Sequence, residues 1–142
     1  MEPTTGRAYF GLSGYHFNPD EITRLIGLEP TSVNAAGMSG SLDKPVISSW
    51  EFSTDTITSD TQEVDIYKLI DDEILKKIEP AKEKIIEVCK IHNLSPRLSV
   101  ELVLSVDKDE SYPDVGFGSR VTKFCAEIGA FINVDYKLSE RI

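Results

Sequence analysis

Residues 17–31, Phe-Asn-Pro-Asp-Glu-Ile-Thr-Arg-Leu-Ile-Gly-Leu-Glu-Pro-Thr, specify a short helix at both of its ends. Asn18 is a capping residue and Pro19 suits the first helical position, where its missing N–H costs nothing. Glu21 stands where a capping-box carboxylate reaches back to the cap's backbone N–H, and Phe17 and Ile22 flank the start at the spacing of a hydrophobic staple. Gly27 supplies the left-handed closing residue, Leu28 the apolar contact after it, and Pro30 prevents resumption. Ile22, Leu25 and Ile26 form the apolar stripe of a helix over 19–26.

Strands are predicted around it. Residues 7–15 alternate, with Ala8, Phe10, Leu12 and Gly14 on one face and Tyr9, Gly11, Ser13 and Tyr15 on the other. Residues 1–6 are expected to be a loose end. Residues 29–46, rich in Gly, Ser and Pro, read as a long loop, and loops of that length are often functional. A second strand covers about 47–54, with Ser48, Trp50 and Phe52 facing one way and Ser49, Glu51 and Ser53 the other. Asp60 with Glu63, or Ser59 with Gln62, are candidate starts for the next helix.

Ile66, Leu69, Ile70 and Ile74 recur at helical spacing. Pro80 divides the helical middle into about 62–78 and 80–92, and Asn93 is a left-handed terminator. Residues 97–106 are the clearest strand. A short extended piece at 114–118 leads to a helix over 119–128, closed by Gly129. The last strand, about 130–138, sets Ala130, Ile132, Val134, Tyr136 and Leu138 opposite Phe131, Asn133 and Asp135.

A chain of 142 residues with no evident boundary is expected to form a single domain over 1–142. The order of elements predicts an α+β fold, a two-layer domain with a mainly antiparallel sheet and helices packed on one face. Ile22-Thr23-Arg24-Leu25 is echoed by Val121-Thr122-Lys123-Phe124, so two pseudo-repeated β-α-β halves stand as an alternative beside chance.

The capped motif, then Trp50-Glu51-Phe52-Ser53, then Glu127-Ile128-Gly129-Ala130 ahead of Val134-Asp135-Tyr136, resembles the bacterial domain-of-unknown-function family 4279. The resemblance spans nearly the whole chain in order. It implies a small single-domain bacterial α+β protein, with no established catalytic residues to carry over. By association alone, it also implies immunity-type roles for some relatives beside secreted toxins.

Fifteen basic against twenty-four acidic residues give a net charge of −9, which repels phosphate backbones. The basic cluster Lys76, Lys77, Lys82, Lys84 and Lys90 is interleaved with Glu73, Glu79, Glu83 and Glu87, as on a solvated helix face. No nucleic-acid partner is expected. No apolar run reaches membrane-spanning length and no signal peptide is apparent, so a cytoplasmic protein without a membrane partner is expected. Cys89 and Cys125 fall on apolar helix faces and read as buried reduced thiols.

Chemistry is poorly supplied. His16 and His92 lack metal-ligand spacing, and the cysteines form no Cys-x-x-Cys. Gly37-Met38-Ser39-Gly40-Ser41 lacks the lysine of a phosphate loop, and Gly116-Phe117-Gly118-Ser119 reads as a turn and cap before it reads as an anion site. No catalytic residue, cofactor or metal is expected. Trp50 reads first as core and second as a recognition aromatic. If helices cover one sheet face only, Tyr9, Tyr15, Glu51 and Glu101 line the other, an acidic and aromatic surface. Trp50, Glu51, Tyr9, Tyr15 and Glu101 are therefore the candidate binding residues.

Three readings follow. The first is a non-catalytic protein-binding module, immunity-like in its most specific form, that takes a basic protein as partner. The second is a small-ligand-binding or minor enzymatic protein with the 29–46 loop as a lid. The third is a structural homodimer paired through an edge strand.

Overall fold

Strand β1 (Thr5–Tyr15) is the spine of the sheet. The computed structural model describes residues 3–34, 47–60, 63–106 and 113–139, and sets β1 inside a six-stranded sheet. β3 (Ile47–Ser53) pairs antiparallel on one side, with Leu12 opposite Trp50 and Phe10 opposite Phe52. β5 (Ser95–Leu104) pairs antiparallel on the other, with Ala8 opposite Val100. β2 (Ser32–Asn34) forms one edge beside β3, and β6 (Phe131–Leu138) forms the other, parallel to β5. β4 (Ile57–Thr58) extends the β3 side along Thr5 and Gly6. Between the Thr54 N–H bond to the Ala8 carbonyl and the Gly6–Ile57 pair, Asp55 and Thr56 together oppose Arg7. That surplus residue is a β-bulge, which sharpens the local twist.

Side chains alternate across a strand, so one face of β1 carries Ala8, Phe10 and Leu12 into the core. The helices lie over this face. α1 (Pro19–Ile26) is capped as its sequence predicts: Asn18 accepts from the Asp20 N–H, and the Gly27 N–H donates to the Thr23 carbonyl at φ 83°. α1 buries Pro19, Ile22 and Ile26, whereas Leu25, expected in the stripe, is exposed at its margin. Trp50 is fully buried beneath α1, and its indole N–H donates to Thr23 Oγ1 at 3.0 Å.

The helical middle is one continuous ribbon of changing pitch. α2 (Ile66–Leu69) is followed by a π-helical stretch (Ile70–Leu75), α3 (Lys76–Ile78), a 3₁₀ turn (Glu79–Ala81) holding Pro80, and α4 (Lys82–His92). The π stretch has a packing reason. In a regular α-helix, Leu75 would point about 180° away from Ile66, nine residues earlier. Both are buried, and the wider turns absorb the excess rotation. The first cap is Asp65, whose carboxylate accepts from the Lys68 N–H, so the helix begins later than the candidate starts at Ser59 to Glu63. α5 (Ser119–Ile128) and its Gly129 terminus at φ 75° match the predicted element.

Several expectations are corrected. Residues 4–6 are not loose. Thr4 is buried, accepts from the Ser105 N–H through Oγ1, and is bonded to Ser59. The 29–46 segment contains β2 before residue 35, and residues 35–46 lie outside the described residues. Residues 114–118 form no strand. The two β-α-β segments differ in direction: β1 and β3 run antiparallel around α1, while β5 and β6 run parallel around α5. No helix among the described residues is long and apolar enough to cross a membrane.

Candidate functional site

The face of the sheet away from the helices is built by the odd-numbered residues of β1. Arg7, Tyr9, Gly11, Ser13 and Tyr15 lie there, and pairing carries the row outward to Glu51 and Ser53 on β3 and to Arg97, Ser99 and Glu101 on β5. Asn133 and Asp135 continue it on β6.

Tyr9 is the centre of this face. Its ring leans over Gly11, where an added Cβ would lie 3.3 Å from ring carbon Cε2, so glycine makes the seat for the ring. The Arg7 guanidinium lies 5.0 Å from the ring centroid and the Arg97 guanidinium 5.8 Å. Arg97 also stands 5.8 Å from the Phe131 ring. The result is a row of alternating cations and rings, held by attraction between guanidinium charge and ring faces. These neighbours leave Tyr9 buried although no helix covers it.

Arg7 is held on its other side by Glu101, at 2.9 Å from Nε, and by Ser53 Oγ, at 2.8 Å from Nη1. Arg97 is not tied down in this way: among the described residues its buried Nε has no hydrogen-bond partner, and neither has the buried Oγ of Ser99, the residue opposite Tyr9.

Four of the five candidate residues share this face. Tyr9 and Glu101 are joined through Arg7. Glu51 lies half-buried over β3 and accepts from Ser32 Oγ at 3.4 Å. Tyr15 is 60% exposed at the far end, opposite the exposed Ile47. Trp50 does not join them; it points through the sheet into the core. The face is also less acidic than expected. Arg7, Arg97 and Lys137 balance Glu51, Glu101 and Asp135 among the described residues. Arg7, Arg97 and Phe131 are the residues that sequence reasoning missed. Alternation sets Phe131 on the outward side of its strand, but only strand order brings Arg97 of β5 between Tyr9 of β1 and Phe131 of β6.

Two hollows among the described residues lie elsewhere. One, of about 490 Å³, runs between α1 and β2 and is lined by Asp20, Thr23, Arg24, Glu29 and Val33. The other, of about 380 Å³, lies beside α2 and is lined by Glu63, Asp65, Asp72 and Glu73 with Lys68. No group of three His, Cys, Asp or Glu side chains is arranged to hold a metal among the described residues. His16 is exposed in the turn before α1, and His92 closes α4. Cys89 and Cys125 are unpaired thiols, each pushed up to about 11 by burial. Such thiols are poor nucleophiles near neutral pH.

A family model described as domain of unknown function, DUF4279, matches residues 3–139. The chain belongs to that family. The match takes in every strand and helix described above, so the open face and its Tyr9 row lie wholly inside the DUF4279 domain. No curated protein and no solved structure matches the chain.

Proposed function

We propose that this DUF4279 protein is a non-catalytic protein-binding module that meets a basic protein through its open sheet face. The observation that carries the reading is the Arg7–Tyr9–Arg97–Phe131 row. Tyrosine and arginine dominate binding hot spots, and here they are held in place before any partner arrives. Tyr15, Ile47 and Phe131 supply exposed apolar surface around the row. The net charge of −9 acts at longer range, drawing a cationic protein and raising its association rate. The immunity-like role implied by the family resemblance is the most specific form of this reading.

The test is capture from extracts of the native cell by the tagged protein and by two variants. Tyr15→Ser with Glu51→Lys alters the open face, while Ile91→Ser alters an exposed residue of α4. The reading expects one basic protein retained by wild type and by Ile91→Ser, and lost from the open-face variant. Equal retention by all three, or a retained protein of acidic charge, contradicts it.

The α1–β2 hollow favours a second reading, as its volume of about 490 Å³ falls within the range of small-molecule sites. It would take a small polar ligand between Arg24 and Asp20. Trp50 does not line it, which leaves that ligand without an aromatic wall.

A further inference from the structure

We propose that the β6 edge of the sheet is a self-association surface, on which a second copy of this chain pairs antiparallel about Tyr136. The argument starts from the backbone. The Ser139 N–H donates to the Leu104 carbonyl, so odd-numbered residues of β6 turn their backbone groups toward β5. Backbone direction alternates along a strand, and the N–H and C=O of Val134 and Tyr136 therefore point to the open edge. Sheet edges of this kind are usually short or blunted by proline, bulges or charge. β6 is eight residues long, contains no proline, and continues in unbroken register with β5.

The side chains argue for an occupant as well. α5 covers the start of β6, where Ile132 packs against the core. Beyond it, Val134, Tyr136 and Leu138 stand on the same face of the sheet and remain exposed, Tyr136 at 71%. On the opposite face, the strand carries one anion and one cation at alternate positions, Asp135 and Lys137.

That pattern selects the partner. In antiparallel pairing with a twofold axis at Tyr136, Asp135 of each copy faces Lys137 of the other, Val134 faces Leu138, and the two Tyr136 rings meet. The charged pairs fall at the positions without backbone bonds, where side chains approach more closely. An axis at Asp135 would set carboxylate against carboxylate. An axis at Val134 would set Lys137 against Phe131 and leave both charges without an opposite. Of these three registers, the one about Tyr136 pairs both charges, so the edge complements itself. A twofold interface demands this of a single patch.

The experiment is sedimentation velocity of the full chain from micromolar to several hundred micromolar. It compares wild type with Asp135→Lys, with Lys137→Asp, and with the exchange of both. Wild type is expected to dimerise with rising concentration. Each single variant, which sets like charges opposite, should weaken the dimer at least tenfold, and the double exchange should restore it. Circular dichroism of the four proteins confirms a common fold. A wild type that stays monomeric throughout overturns the proposal and leaves the edge to a foreign strand. Single variants that dimerise as tightly as wild type, or a double exchange that fails to recover, also overturn it. Neither outcome bears on the open-face reading, which the Tyr15 and Glu51 substitutions test separately.

Discussion

The indole N–H of Trp50 donates to Thr23 Oγ1 at 3.0 Å, and that hydroxyl in turn donates to the Pro19 carbonyl at 3.2 Å. One short relay thus joins the only tryptophan, on β3, to the first turn of α1. It explains why a polar residue sits on the inner side of a helix whose neighbours are Ile22 and Ile26. Replacing Thr23 by Val keeps the shape and removes the acceptor. A buried donor left unpaired costs about 1–3 kcal/mol. Urea unfolding followed by tryptophan emission should show the unfolding free energy fall by that amount and the midpoint shift down with it, with the native emission still that of a buried indole. An unchanged midpoint would mean that the bond contributes nothing.

Two glycines are expected to fail for different reasons. A Cβ on Gly6 would lie 2.9 Å from Val64 Cγ1 and 3.1 Å from Leu102 Cδ2, so Gly6→Val overpacks the contact between sheet and α2. Overpacking of a filled core costs about 1–3 kcal/mol. Gly27 has open space around it but stands at φ 83°. Gly27→Ala should cost about 1–2 kcal/mol from backbone strain, and Gly27→Asn clearly less. Denaturant midpoints of the three variants check the pattern; equal losses for Ala and Asn at residue 27 would refute the backbone explanation.

The thiols give a kinetic prediction. Burial disfavours the thiolate, and both Cys89 and Cys125 are held at about 11. At pH 8 the native protein should react with a thiol reagent many times more slowly than the urea-unfolded chain, which exposes both groups at their ordinary value. Rapid native labelling of Cys125, the more buried of the two, would contradict the packing of α5.

Helices α4 and α5 are clamped on the surface by Lys82–Glu127 at 2.7 Å, and Glu79 of the 3₁₀ turn meets Arg120 of α5. Hydrogen bonding to these cations holds Glu79 and Glu127 below the ordinary carboxylate value of 4.5, and the Glu127 partner raises Lys82 above 10.5. A lowered carboxylate stabilises the fold above its unfolded value and loses that contribution as pH falls through the folded one. A raised lysine contributes fully below its unfolded value and loses it as pH climbs through the folded one. The Lys82–Glu127 clamp is therefore complete between about 4.5 and 10.5. All four side chains remain open to solvent to a third or so of their surface or more, so the effect should be small and should shrink in salt. Glu127→Gln should flatten the acid limb of stability against pH at low salt and leave it unaltered at high salt. An equal change in both would place the effect elsewhere.

Much of the fold is legible where local chemistry decides it. Asn18, Pro19 and Gly27 bound α1, and Gly129 ends α5, because caps act within a turn of chain. The alternation of β1 assigns Phe10 and Leu12 inward without reference to anything distant. The π stretch from Ile70 to Leu75 is not legible, since it answers to how many side chains the sheet can seat. Thr4 is hidden for the same reason: its partners, Ser59 and Ser105, lie far along the chain. The candidate site divides in the same way. Tyr9, Tyr15, Glu51 and Glu101 follow from period two and one covered face. Arg97 meets Tyr9, and Phe131 meets Arg97, only because β5 lies between β1 and β6.

The most direct test is the affinity of the captured partner for wild type and for Arg97→Ala, measured by calorimetric titration at low and moderate salt. Arg97 stands between Tyr9 and Phe131, and its loss should leave tryptophan emission and the unfolding midpoint nearly unchanged. If the open face is the meeting surface, Arg97→Ala should weaken binding at least tenfold at both salts, while wild-type affinity falls as salt rises. Equal affinity for the two proteins, or wild-type binding that is indifferent to salt, would contradict the account.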